Sequence, residues 1–458
     1  MSAKKQSLEH QPVSCWEAYK SKTHRKAMDQ TAERYMDFLT RCKTERESIA
    51  YLRAGAEAAG FAEGVGPGSA MIVNRGKTML LARRGRRPMS EGFRLVGAHV
   101  DTPRIDLKQH PLYEDVDLAL AKTHYYGGIR KYQWLARELA LHGVVVKKDG
   151  TVVEIVVGED PADPVLTITD LLPHLAYKEV VKKVEDAFEA EKLNVVLGHE
   201  PDLAEKDAKK QVKTTLLKLL RDRWGIAEDD LYSAELQIVP AGRARYVGLD
   251  GSLIGSYGQD DRACAFCAFE AFLAEPEPEH CQLVLFWDKE EIGSEGATGA
   301  KSLFFEYAVD DLREAWEPGA KLSRVLMAGQ AISADVHAGV DPDFQEVYEK
   351  LNSARMGFGP TFSKFTGHRG KVGANDAHPE FIAGLRRILD EAGAPWQMAE
   401  LGKVDLGGGG TVAKFLAVYG MDIIDMGPPV LSMHSPFELS SKADIYGTVV
   451  AFREFLKH

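Results

Sequence analysis

The sequence predicts an α/β fold in which both ends of the chain build one domain and the middle folds separately. Three observations lead there. Strand-like and helix-like segments alternate up to about residue 105 and again from about residue 244, whereas the stretch between reads as short strands joined by Gly turns, followed by strongly charged helices. A length of 458 residues exceeds that of one typical domain. Several apolar strand candidates in the outer parts end on a carboxylate or an imidazole, and in open α/β sheets ligands bind at the carboxyl ends of strands.

The elements follow in order. Residues 14–59 have helical spacing with abundant charge, and Gly60 is placed to stop a helix. MIVNRGKTMLLARRG alternates and turns like a hairpin, and residues 93–100 form an apolar run suited to a buried central strand. In the middle, HYYGGIRKYQWLARELALHGVVVKKDGTVVEIVVGED supplies short strands, while YKEVVKKVEDAFEAEKL and AKKQVKTTLLKLLRDRW each put apolar residues on one helical face. Beyond it, CQLVLFWDKEE and RVLMAGQAISADV read as apolar strands, AFCAFEAFLAE and EFIAGLRRILDEA as helices, and a closing helix starts near Ser441.

Composition narrows the function. With 57 Lys and Arg against 68 Asp and Glu the net charge is −11, which argues against a nucleic-acid partner, since binding a polyanion needs a basic face. No stretch approaches the roughly 20 apolar residues of a membrane span, and the N-terminal residues have no apolar targeting core, so a soluble cytoplasmic protein without membrane contact is expected. The five cysteines are few and sit mostly in apolar segments. Cys264 and Cys267 spell CxxC, but helical spacing and the lack of a second CxxC favour buried thiols over a zinc ribbon.

Five short motifs carry chemistry: GAHVDTPRID, YGQDDRACA, FWDKEEIGSEG, ISADVHAG and LSMHSPFE. His99 and Asp101 stand two apart at a strand end, so both face the same way; they suit a metal-bound imidazole steered by a carboxylate, or a core histidine bonded to Asp101. Asp260 and Asp261 precede an apolar helix, where an Asp is also an ordinary cap; Asp260 is the better candidate to bridge two ions, leaving Asp261 as the cap. Glu290 and Glu291 are adjacent acids after an apolar strand, costly unless cations neutralise them, although a solvated loop pair would look similar. One could ligate while the other moves a proton between water and a leaving amine. Asp335 and His434, each unremarkable alone, complete two imidazoles and three carboxylates, a donor set that suits zinc, cobalt or manganese better than magnesium. GGGG at 407–410 lacks the Lys-Ser/Thr of a phosphate loop and reads as a flexible wall beside a substrate. Lys403 and Arg369 could meet a substrate carboxylate or be surface charges.

In order and separation, GAHVD, the Asp-Asp turn, DKEEIGSEGA, SAD and MHS resemble the aspartyl aminopeptidase-type family of dinuclear zinc exopeptidases. LGKVDLGGGGTVAKFLA and MHSPFELSSKADIY look closest to its bacterial "aminopeptidase 1" branch. The resemblance implies a globular α/β catalytic domain, 1–105 with 244–458, whose mixed central sheet is flanked by helices, and a smaller inserted β-rich dimerisation domain, 106–243. It implies that His99 and Asp335 hold one metal, Glu291 and His434 the other, and that Asp260 bridges them; Glu290 is then general base and acid, and Asp101 the orienting carboxylate. The activity implied is release of the N-terminal residue from peptides with a free N-terminus, by a bridging hydroxide on two divalent ions, most simply zinc, with a glutamate proton shuttle. A two-zinc deacylase or carboxypeptidase and a non-catalytic metal-stabilised assembly protein are the alternatives. The family implies a homo-oligomer, a dimer-based tetrahedral dodecamer. Eukaryotic relatives carry a second histidine four residues after the one in a Pro-His-Leu-Ala segment, reaching a neighbour's active site; here His174 is present but Lys178 holds the later position, so that contact does not carry over in the same form. His337 receives no role by resemblance.

Overall fold

All seven residues of strand Cys281–Trp287 are buried, which places it inside a sheet covered on both faces. It runs parallel to Phe93–His99, which is parallel to Gln330–Ala334, and that strand to Asp422–Gly427. Antiparallel neighbours extend both sides, Thr78–Arg83 beside Cys281–Trp287 and Thr361–Ser363 beside Asp422–Gly427, making a nine-stranded mixed sheet. The chain is described here by a computed structural model over residues 8–204, 209–275, 277–370 and 372–458. The N-terminal segment before residue 8 and Ala208, at the start of AKKQVKTTLLKLLRDRW, lie outside those residues.

Strand alternation divides the core into two layers. Val96, Ala98, Val284, Phe286, Ile332 and Ile424 pack on one face against the helices Lys22–Arg41, Glu45–Ala58, Gln259–Leu273, Pro379–Ala392 and Lys442–Lys457. Leu95, Leu283, Leu285, Trp287, Ala331 and Ile423 pack on the other against Phe304–Trp316, Leu322–Ala328 and Ala413–Ala417. The parallel order brings the carboxyl ends of four central strands to one edge. All five cysteines are free and buried, Cys264 and Cys267 within helix Gln259–Leu273.

Strands drawn from residues 104–240 form a separate seven-stranded antiparallel sheet with its own apolar clusters. A five-stranded sheet joins Arg245–Val247 and Leu253–Ser256 to Glu438–Ser441, Pro429–Leu431 and His337–Ala338. No helix among the described residues is long and apolar enough to cross a membrane.

Two expectations need correction. YKEVVKKVEDAFEAEKL is not one helix: it contains only the short turns Ala176–Lys178, Val184–Ala187 and Ala190–Lys192. Its apolar side chains Tyr177, Val180, Val181 and Val184 are exposed, so no packing surface supports a longer helix. RVLMAGQAISADV is a strand only over Gln330–Ala334; Leu322–Ala328 forms a helix packed through Val325 and Leu326.

Polar contacts tie the two large sheets together. Arg104 pairs with Glu45 and Asp106, and Lys77 with Glu45 and Glu235. His142, on strand Leu139–Val146, lies 2.7 Å from Glu47 and 3.2 Å from Glu159, while Lys43 Nζ donates to the Gly242 carbonyl nearby. Burial alone would lower the His142 pKa, but the Glu159 and Glu47 carboxylates outweigh it and raise it. The stabilisation is therefore complete below the ordinary histidine value and fades as pH rises through the raised one. Thermal unfolding of His142→Gln is expected to show a deficit of about 2 kcal/mol at pH 6 that shrinks by pH 9; a pH-independent deficit would assign His142 a packing role only.

Candidate metal centre

The five motifs meet at the carboxyl edge of the central sheet. His99 closes its strand, and its Nδ1 lies 3.0 Å from the Asp101 carbonyl and 3.2 Å from Asp101 Oδ1. The other ring nitrogen, Nε2, stands 3.2 Å from Asp260 Oδ1. Asp260 Oδ2 is 3.1 Å from His434 Nε2, which is also 3.4 Å from Glu291 Oε1. Each oxygen of one carboxylate thus faces a different imidazole. Ligand atoms of His99, Asp260 and Asp335 lie within 4.8 Å of one another, as do those of Asp260, Glu291 and His434, and those of His99, Glu290 and Glu291.

Local chain geometry aims these groups. After strand Cys281–Trp287 the backbone turns through Lys289 at φ 68° into the single turn Glu290–Ile292, which Gly293 ends at φ 82°. Both values lie where glycine is favoured, which Gly293 meets without strain and Lys289 meets as a non-glycine residue. Asp101 fastens this turn to the His99 strand: Oδ1 accepts from Glu290 N at 3.0 Å, and Oδ2 from Glu291 N at 3.2 Å and from Tyr126 Oη at 2.7 Å. Asp260 and Asp261, joined by a cis peptide bond, precede the regular part of helix Gln259–Leu273. The expectation that Asp261 caps this helix is not met, because its Oδ1 accepts from Val336 N, on the loop after the Asp335 strand.

Three supporting groups were not singled out in the sequence. Buried Glu438 accepts from His434 N at 2.8 Å, Gln259 N at 2.5 Å and Asp260 N at 3.3 Å, joining two of the motifs. Tyr126 reaches Asp101 from the antiparallel sheet. The Gly128 carbonyl lies 3.0 Å from His434 Nδ1, and a Cβ at Gly127 would meet Glu291 Cβ at 3.2 Å, so bare backbone is required there. No residue pattern announces these contacts: those of Tyr126 and Gly128 join segments distant in sequence, and Glu438 reaches the start of helix Gln259–Leu273.

The electrostatics call for cations. Burial pushes the Glu291 and Asp335 carboxyls well above their ordinary range, and repulsion from Asp260 adds to it. Burial likewise raises Glu290 to about 7, with Asp101 and Asp260 adding to it. Burial would raise Asp260 too, but the His434 and His99 imidazoles beside its carboxylate hold it below the usual range. His434 rises to about 10, the pull of Asp260 and Glu291 outweighing burial. Asp260 Oδ1 and Glu291 Oε1 are buried without hydrogen-bond partners, and no Lys or Arg pairs with Asp260, Glu290, Glu291 or Asp335 among the described residues. Buried, mutually repelling carboxylates with orphaned oxygens beside two imidazoles fit divalent zinc-type ions.

The centre opens into a cavity of about 400 Å³, within the range of ligand sites, with the glycines at 407–410, Arg369 and Lys403 in its walls. His337 lines it as well, and burial lowers its pKa to about 4. His174 and Lys178 are exposed and form no part of that lining.

Comparison with known proteins gives a consistent picture. The family described as aminopeptidase I zinc metalloprotease (M18) matches residues 38–456. A probable M18 family aminopeptidase 1 of Clostridium acetobutylicum is 47% identical over 457 residues, covering 97% of this chain and 98% of the relative. The crystal structure of an M18 aminopeptidase from Thermotoga maritima superposes with a TM-score of 0.92 at 44% identity, covering 98% and 100% of the two chains. The mApe1 dodecamer of S. cerevisiae shares the fold, with a TM-score of 0.75 at 22% identity and coverage of 94% and 97%.

Proposed function

The chain belongs to the aminopeptidase I (M18) family of zinc metalloproteases and is a zinc-dependent aminopeptidase, and from that premise we propose a two-ion centre that removes the first residue of peptides with a free N-terminus. In this reading His99 and Asp335 hold one ion, Glu291 and His434 the other, and Asp260 lies between them. The observation that carries it is the Asp260 carboxylate, with one oxygen turned to each imidazole. Bound there, two such ions supply Lewis acidity and a water acidified toward neutral pH.

The remaining work falls to the chain. Glu290, raised to about 7, is matched to accept a proton from the attacking water and to return it to the departing amine. Asp101 orients both His99 and the Glu290 turn, since its oxygens hold the backbone of Glu290 and Glu291. The glycines at 407–410 let substrate approach the cavity wall closely. Blocking the α-amino group of an aminoacyl chromogenic substrate is expected to abolish hydrolysis with zinc, cobalt or manganese alike; comparable turnover of the N-acylated substrate would make the enzyme a deacylase and overturn the reading.

Residues 1–105 and 244–458 serve as the catalytic domain and 106–243 as an inserted dimerisation domain that also braces the centre through Tyr126 and Gly128. A homo-oligomer, a dimer-based dodecamer like the yeast relative's, is supported by exposed Leu171, Leu172, Leu175, Tyr177, Val180 and Val181 along one segment of the insertion. The five unpaired, buried thiols suit the cytoplasm.

A further inference from the structure

Away from the metal ligands, the same cavity runs to a polar group that the mechanism does not use. Asp425, on strand Asp422–Gly427, lies in the cavity wall at 4% exposure, and neither of its carboxylate oxygens has a hydrogen-bond partner. Register sets its surroundings. Ser333 is its partner on one neighbouring strand and Ser363 on the other, so the three side chains share one face of the sheet. The hydroxyls of Ser333 and Thr361 are themselves buried and unpartnered. Burial pushes the Asp425 carboxyl up to about 6, while the nearby Thr411 and Ser333 hydroxyls pull it down. A buried carboxylate of this kind is costly until a cation or a donor reaches it.

Distance selects the kind of cation. Asp335 stands two residues beyond Ser333, so two residues of strand rise and one interstrand spacing put the Asp335 and Asp425 backbones about 8 Å apart. A lysine ammonium sits about 6 Å from its own Cα on a four-carbon stem. A first residue whose amine is held at the metal end reaches Asp425 only through a long side chain. We propose that Asp425 recognises the side chain of the substrate's first residue and selects a long cation, lysine or arginine. The inference rests on the aminopeptidase action of the adjacent centre. Arg369 and Lys403, which come from loops, then face the carbonyls and carboxylate of the rest of the peptide.

The test compares kcat/KM of the zinc-loaded enzyme for N-terminal lysine and for its uncharged near-isostere norleucine, with aspartate as a third substrate. Lysine is expected to exceed norleucine by about 10-fold or more, the range of a charge-assisted hydrogen bond, and aspartate to be the poorest. In Asp425→Asn the lysine-to-norleucine ratio should fall to about one. A ratio near one in the wild type, a preference for aspartate, or a lysine preference that survives Asp425→Asn overturns the proposal. Because the wild-type ratio decides alone, a poorly folding variant does not shield it. Failure on every substrate would instead strike the two-ion reading, which separates the two.

Discussion

Glu290→Gln is expected to lower kcat by about 10²- to 10⁴-fold while the enzyme keeps its zinc. The substitution preserves shape, and the contact that sets the turn, Glu290 N to Asp101 Oδ1 at 3.0 Å, belongs to the backbone and survives. What is lost is a carboxyl able to hold a proton. Burial and the neighbouring Asp101 and Asp260 charges raise that carboxyl to about 7. An amide cannot exchange a proton in that range. Metal content after dialysis, read beside turnover on an aminoacyl substrate, separates this role from ligation, which matters because Glu290 offers an oxygen within 4.8 Å of His99 and Glu291. Loss of zinc together with activity would make Glu290 a ligand; retention of near wild-type turnover would end the proton-shuttle assignment.

Part of this centre was legible because His99, Glu290, Glu291 and Asp335 follow central parallel strands, where chain direction alone brings them to one edge; Asp260 and His434 follow strands of the five-stranded sheet instead. Runs such as Cys281–Trp287 and Phe93–His99 announce buried parallel strands, and a charged residue just past such a run is conspicuous. Contacts across elements were not legible in the same way. Glu438 looks like an ordinary acid after MHSPF, yet it is fully buried and holds the backbones of His434 and Asp260 together. Asp261 looked like a cap because capping is what an Asp before a helix does; here the loop at Asp335 comes close enough for Val336 N to donate to that carboxylate. Amphipathic spacing also misled over residues 177–193, where Tyr177, Val180, Val181 and Val184 are exposed and one long helix does not form.

Asp260→Ala is expected to weaken metal binding by more than about 100-fold, and to remove activity with it. Its carboxylate approaches both imidazoles, at 3.2 and 3.1 Å, so one truncation strips a donor from both proposed ion positions at once. It also leaves the buried Glu291 and Asp335 carboxyls, both already raised by burial, without the donor proposed to share their ions. Titrating zinc into apoenzyme and following the thermal midpoint makes the loss measurable: at about 100 times its Kd an ion adds about 2.7 kcal/mol to the folded state, and that gain should vanish in the variant. Asp261→Asn is the matched control. It changes the adjacent carboxylate, which accepts from Val336 N and lies outside each of the clustered donor groups. The expected outcome is therefore a lower midpoint with the zinc-dependent gain intact. Equal loss of that gain in both variants would mean that the turn, rather than the Asp260 carboxylate, holds the ions.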